Sequence, residues 1–271
     1  MGAFEWSSHV LQSPALNARV VFRLVLPRDF SSTSLPDGER LPLLVLLHGV
    51  HGSETDWIDQ GELIPTMNRL YDEGVIGLIA VLTPSDGLHG IGTGYLNWQS
   101  GEREHRYEDY LLEDLLSHVE ARWPIGGSPG KRAVSGLSMG GYAAMRFALT
   151  KPQLWRSASS MSGFFMVEEL GHLVGADTYA RIVLPSVQQS DALSPLHLPL
   201  HAGARYPELL FDCGTSDAYA AQNRELSLKL AEGGIPHHFA EREGAHTWTY
   251  WRSSLAMHLD FHYKSSQGDE I

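Results

Sequence analysis

Cysteine, basic charge and long apolar runs are what this 271-residue chain has least of, and each shortage excludes something. Its one cysteine, Cys213, permits no internal disulfide and no metal site built from thiolates. That residue lies in the apolar run ELLFDCG, where a buried, inert thiol is expected. Lysine and arginine total 20 against 32 acidic residues, a formal net charge of −12. With no basic cluster either, nucleic acid bound through its phosphates is excluded as a partner. No apolar run approaches the roughly 20 residues that a membrane-crossing helix needs, so no span is expected. The N-terminal stretch MGAFEWSSHVLQS has no basic segment followed by an apolar one, hence no secretory signal. Trp6 stands where N-myristoylation requires Ser or Thr. The expected location is the cytoplasm. Repeats and low-complexity tracts are absent too.

What is present reads as a globular chain. Apolar residues make up 43% and charged residues 19%, ordinary proportions for a packed domain. The length suffices for a sizeable core, and one domain over 1–271 is expected. Strand-like apolar runs fall at 18–27, 41–47, 75–84, 131–136, 155–162, 207–214 and 236–243. The polar turn SSTSLPDGER (31–40) between the first two reads as a hairpin-like loop. Several runs are nearly continuous, as in strands covered on both faces. Helical patterns lie between them, at about 57–73, 107–122, 139–150, 217–233 and 247–263. This alternation predicts an α/β fold with a mostly parallel central sheet flanked by helices. Residues 163–206 break the rhythm and are expected to form a cap-like insertion.

The chemistry starts at Gly136-Leu137-Ser138-Met139-Gly140, which closes one strand and opens a helix. The G-x-S-x-G pattern in that context is the nucleophile elbow. A sharp reversal strains the central residue, its neighbours must be small, and the serine hydroxyl is lifted to a helix N-terminus. Free amides and the positive end of the helix dipole there favour developing negative charge. A serine needs a base, and in this motif class the acid and then the histidine follow it in the chain. Asp217 in DCGTSDAY is the favoured acid. It follows a strand and precedes a helix, where it would also serve as a cap. Asp212, within the strand, is its rival. His246 in EREGAHTWTYW is the favoured base among 14 histidines, in a loop between the last strand and the last helix. His237 and His238 fall in a strand, His258 and His262 on the last helix, and His197 and His201 in the insertion. Oxyanion donors are expected from the amides of Met139, directly after the nucleophile, and of Val50, in the His48-Gly49 turn after the 41–47 strand.

These segments together resemble a known family. LLHGVHGSETDW, YEDYLLEDLLSHVEARWP, GLSMGGYAAMRFAL, LWRSASSMSG, DCGTSDAY and GAHTWTYW are similar to α/β-hydrolase esterases of the esterase D and tributyrin esterase type. That group is related to feruloyl and acetylxylan esterases, formylglutathione hydrolases and antigen 85-type mycolyltransferases. The resemblance implies the α/β-hydrolase fold, a Ser138-Asp217-His246 triad and the Val50 and Met139 oxyanion amides. Formylglutathione hydrolases usually carry a cysteine in the loop after the first oxyanion donor. Gly52 stands there in this chain, which counts against that assignment.

The expectation is therefore a serine carboxylesterase acting on short-chain or aromatic acyl esters through an acyl-enzyme, with a small-molecule ester as its partner. An acyltransferase on the same triad, an S-formylglutathione hydrolase and a non-catalytic binding module of the same fold are the alternatives. Trp57, Trp98, Phe164, Phe165 and Trp248 line the substrate mouth or pack in the core; sequence does not choose between the two. His48, His51 and His89 match no zinc spacing with a partnering acid, so neither metal nor cofactor is expected.

Overall fold

Eight strands hydrogen-bond into one sheet. The computed structural model describes residues 2–31, 35–87, 92–100, 103–175, 190–201 and 203–268. In chain order the strands are β1 (Phe4–Ser13), β2 (Ala18–Pro27), β3 (Leu43–Leu47), β4 (Ala80–Pro84), β5 (Asn97–Ser100), β6 (Arg103–Arg106), β7 (Arg132–Leu137), β8 (Ser157–Met161), β9 (Glu208–Gly214) and β10 (His238–Arg242). The sheet order is β1-β2-β4-β3-β7-β8-β9-β10, and β5 and β6 form a separate hairpin. Pairing is antiparallel from β1 to β2 and from β2 to β4, and parallel from there to β10. This is the mostly parallel α/β sheet expected from the alternation of strand and helix, and the α/β-hydrolase fold that the resemblance implies.

The continuous apolar runs explain why both faces are covered. Successive side chains of a strand point to opposite faces. In β3, Leu43, Val45 and Leu47 enter one hydrophobic cluster and Leu44 and Leu46 the other. The helices among the described residues are α1 (Asp56–Asp59), α2 (Leu63–Asp72), α3 (Tyr107–Asp109), α4 (Leu116–Arg122), α5 (Met139–Thr150), α6 (Glu168–Val174), α7 (Ser190–Leu193), α8 (Ala220–Glu232) and α9 (Trp248–Gln267). A wider turn, Tyr110–Leu115, joins α3 to α4. The α3–α4 segment, α5 and α8 cover one face, through residues such as Leu111, Leu115, Phe147 and Leu226. Helices α2 and α9 cover the other, through Met67, Leu70, Leu255 and Leu259.

The structure departs from the sequence reading in several places. The 31–40 loop does not close a hairpin, because β2 pairs with β1 and β4 while β3 lies beyond β4. Strand β1 was not anticipated. It is a sheet edge with much of its length exposed, so its pattern FEWSSHVLQS is polar. The helix expected over 57–73 is split, with Glu62 between the pieces at φ 54°, in the left-handed region that helices exclude. The last helix runs four residues beyond its expected end at 263. Of the segment 163–206, residues 176–189 and 202 lie outside the described residues. The described part contributes α6 and α7 between β8 and β9.

Candidate active site

Ser138, Val50, Asp217 and His246 each lie just beyond the end of a parallel strand. Ser138 follows β7 at φ 52° and ψ −115°, a conformation that costs a non-glycine residue about 1–3 kcal/mol and persists only where surroundings enforce it. Two glycines allow that enforcement. A Cβ on Gly136 would stand 2.4 Å from the carbonyl carbon of Gly140, and one on Gly140 would stand 2.5 Å from the Leu47 oxygen. Strand β7, the start of α5 and the end of β3 are thus in direct backbone contact. The Ser138 amide donates to the Met161 carbonyl at 2.9 Å, tying the turn to β8.

His246 lies in the loop between β10 and α9 and reaches both partners. Its Nε2 is 3.0 Å from Ser138 Oγ, and its Nδ1 is 2.9 Å from Asp217 Oδ2. A carboxylate only accepts, so Nδ1 carries a hydrogen and the Nε2 of a neutral ring is left free to accept from the serine hydroxyl. The other Asp217 oxygen accepts from the Tyr219 amide at 3.0 Å. The anticipated cap role takes this form, a turn just ahead of α8 rather than a bond inside it. Burial pushes the Asp217 carboxyl up, but the hydrogen bond and charge of His246, with the Tyr219 amide, outweigh it and hold the group below the usual carboxylate range. The loops carrying Asp217 and His246 are bonded to each other: the Thr215 amide donates to the Arg242 carbonyl and the Ser216 amide to that of Gly244, both at 2.8 Å.

Asp212 occupies a different place. It is fully buried in β9 and receives Tyr250 Oη at 2.9 Å, Ser254 Oγ at 2.7 Å, His258 Nε2 at 3.0 Å and the Arg242 guanidinium. Burial would raise its carboxyl, but His258, Ser254 and Arg242 together bring it down to about 2. His258 Nδ1 lies 2.7 Å from Ser159 Oγ, so Ser159, His258 and Asp212 form a second serine–histidine–aspartate run. His262 also touches Ser159, at 2.7 Å, and Ser135 does so at 2.7 Å. Those partners saturate a hydroxyl with one hydrogen and two lone pairs. Ser135, Ser159, Asp212, His258 and His262 are each at most 1% exposed, packed between the sheet and α9. The array is therefore a buried strut between the sheet and the last helix, and its serine faces no substrate. Burial, with the neighbouring His258, holds His262 well below the ordinary histidine range, so its ring stays neutral.

Met139 is the first residue of α5, so its amide has no partner inside the helix. The other candidate donor, Val50, follows Gly49, where a Cβ would meet Leu137 Cδ1 at 2.7 Å and Ser138 Cβ at 3.4 Å. The Val50 loop therefore runs alongside the elbow. Of the aromatic candidates, Trp57 is buried, donates to the Leu47 carbonyl at 3.0 Å and meets Trp248 edge-on. Trp98 packs on Tyr107, and Phe165 on Phe211. Phe164 stacks on Tyr142 and touches Tyr219. Only Trp248 is half-buried. Two residues that sequence reasoning missed lie directly against the imidazole: Tyr219 at 5.2 Å and Trp251 at 4.9 Å between ring centroids, both edge-on. Their signal was proximity in sequence, two residues after the acid and five after the base. His51 lies in the Val50 loop at φ 62°, and His89 is outside the described residues. Among the described residues no cluster of histidine, cysteine and carboxylates has a metal-holding arrangement, and no helix is long and apolar enough to cross a membrane.

Comparison with known proteins places the chain among esterases. The chain is 25% identical over 254 residues to an acetyl esterase of Caldicellulosiruptor saccharolyticus, covering 85% of this chain and 86% of that one. A fluorophosphonate-binding serine hydrolase of Staphylococcus aureus superposes with a TM-score of 0.81 at 25% identity, covering 97% of this chain and 99% of the other. A ferulic acid esterase shares the fold at TM-score 0.77 and 23% identity, over 98% and 100% of the two chains. The family model described as "Putative esterase" matches residues 13–262. The chain belongs to that esterase family and is a serine carboxylic ester hydrolase.

Proposed function

We propose that Ser138, His246 and Asp217 are its catalytic triad and that the Val50 and Met139 amides bind the oxyanion. The observation that carries this reading is the bridging imidazole, 3.0 Å from the hydroxyl and 2.9 Å from the carboxylate. His246 takes the Ser138 proton as Oγ attacks the ester carbonyl carbon. The carbonyl oxygen becomes an alkoxide between the two amides, placed to stabilise charge that develops only at the transition state. The C–O bond to the alcohol breaks, His246 returns its proton to the leaving oxygen, and the acyl group remains on Ser138. Water then repeats the sequence and releases the acid. Asp217 keeps the imidazole in the productive tautomer and stabilises its cation throughout.

For the substrate we propose short acyl or aromatic acyl esters, with the whole chain as one catalytic domain. Support comes from a relative named as an acetyl esterase, matched over most of both chains. Thioester hydrolysis of the S-formylglutathione kind is disfavoured by Gly52. A Cβ there would lie 2.4 Å from Asp56 Oδ2 and 3.0 Å from both the Gly49 oxygen and His48 Nδ1, so a cysteine would have to displace the Asp56 carboxylate and crowd the Gly49 carbonyl.

The test combines labelling with a substrate panel. A fluorophosphonate should attach to Ser138 alone, and Ser138→Ala should lower kcat on p-nitrophenyl acetate by about 10⁴–10⁶. Acetyl and butyryl esters or methyl ferulate should outpace octanoyl esters and S-formylglutathione in kcat/KM. Attachment at another serine defeats the triad assignment, and a preference for S-formylglutathione defeats the substrate assignment.

A further inference from the structure

Three consecutive carbonyls, from the last residue of β3 into the loop that follows it, are each held by a buried side chain. The Leu47 oxygen accepts from Trp57 Nε1 at 3.0 Å and the His48 oxygen from Tyr95 Oη at 3.3 Å. The Gly49 oxygen accepts from His48 Nδ1 at 2.7 Å and from the Gly52 amide at 3.1 Å. His48 is 1% exposed, and Trp57 and Tyr95 are fully buried.

The stereochemistry of the peptide unit gives this its consequence. In a planar trans peptide the C=O and the following N–H point in opposite directions. The Gly49 carbonyl and the Val50 N–H belong to one such unit. Two donors holding the carbonyl on one side fix the amide to the other, in a loop that runs alongside the elbow. A carbonyl oxygen can only accept, so Nδ1 of His48 carries a hydrogen. The ring has no other hydrogen bond among the described residues, since its Nε2 is buried and unpaired. A buried polar ring with an unpaired nitrogen is destabilising, and an aliphatic side chain would fill the place without that penalty. Tyr95 is a permanent donor, because burial, and then the Asp86 charge, push its phenol far above the ordinary range.

We infer that His48, with Tyr95 and Trp57 behind it, is a positioning residue that aims the Val50 amide at the oxyanion. The inference rests on the reading of Val50 as an oxyanion donor. It gives Trp57, which the sequence left open between substrate mouth and core, a part in supporting the loop.

His48→Asn and His48→Leu test it as a pair. The Asn amide nitrogen occupies the place of Nδ1 and donates; Leu has nearly the same shape and donates nothing. An oxyanion-hole donor is worth about 10²–10³ in kcat, and a misaimed one forfeits part of that. Thus kcat on p-nitrophenyl acetate should fall roughly 10–100-fold in His48→Leu with KM within about twofold, and should recover to within about fivefold of the parent in His48→Asn. Affinity for an alkylboronic acid, whose tetrahedral adduct places an oxygen in the hole, should fall with kcat/KM in His48→Leu. Tyr95→Phe, which removes only a hydroxyl, should show the same kcat-specific loss on a smaller scale, and circular dichroism melting checks that each variant is folded. Equal kcat in the Leu and Asn variants, or a loss carried by KM, overturns the inference. Ser138→Ala run in parallel separates the two claims. If it is inactive while Leu equals Asn, only the aiming role falls; if it stays active, the site itself is wrong and the inference falls with it.

Discussion

Replacing Asp212 by asparagine removes the charge around which the sheet and the last helix are joined, while leaving the proposed triad untouched. The size of the effect follows from ionisation. The folded carboxyl sits at about 2 against an ordinary 3.8, and at about 1.4 kcal/mol per unit this is worth roughly 2.5 kcal/mol. A value depressed by folding contributes stability that is complete above about pH 4 and is lost as the pH falls through about 2. The asparagine also leaves Arg242 without its counter-charge. Breaking a buried pair costs about 3–5 kcal/mol, but Arg242 keeps 35% of its side chain exposed, which puts the penalty at the low end. Urea unfolding followed by tryptophan fluorescence should therefore find Asp212→Asn about 2.5–3 kcal/mol less stable at pH 7. The gap to the parent should narrow by about 1 kcal/mol at pH 3, where the parent has begun to lose this contribution. Turnover per labelled serine should stay within about tenfold, since no atom of Asp212 touches His246. Equal stability of the two proteins at pH 7 would refute the reasoning. So would a folded Asp212→Asn that had lost three orders of magnitude in kcat, because Asp212 would then be the partner of the catalytic base.

Other expectations follow from the same geometry. Asp217→Asn should lower kcat by about 10⁴, since the amide can hold the imidazole in the wrong tautomer, and a melting curve should show the fold retained. Gly140→Ala drives a Cβ to 2.5 Å from the Leu47 oxygen; a loss of about 1–3 kcal/mol or more in urea unfolding is expected, and a neutral result would mean that the elbow has slack. Burial, chiefly, pushes the Cys213 thiol up to about 12, so iodoacetamide should leave the native protein unmodified at pH 8 and alkylate it in urea.

How much of this was legible in the sequence depended on where the information is stored. The parallel strands were readable because burial on both faces makes their composition apolar throughout, as in LLVLL. Ser138 was readable because the elbow is local: one strand, one helix and two glycines within five residues. The contact of His246 with Ser138 spans 108 residues, and chain order supplied the pairing that no local pattern does. The two aspartates were harder to tell apart. Asp212 and Asp217 lie five residues apart, and only the alternation of β9 places the first beneath α9. Strand β1 was invisible because an exposed edge needs few apolar residues. For the aromatic candidates the sequence left substrate mouth and core open, because composition reports the presence of Trp57, Trp98 and Phe165, while the side that each faces is decided by packing.

The two bonds between the Thr215–Ser216 turn and the Arg242–Gly244 turn divide the machinery into two mechanical parts. The proposed acid and base, Asp217 and His246, ride on one, and the proposed nucleophile, Ser138, rides on the other, fixed to α5 and β8. Thermal or mutational loosening of the last helix should therefore alter the gap between imidazole and hydroxyl while sparing the gap between imidazole and carboxylate. Such an enzyme fails gradually, by longer waits for the serine and histidine to meet, rather than by loss of its base.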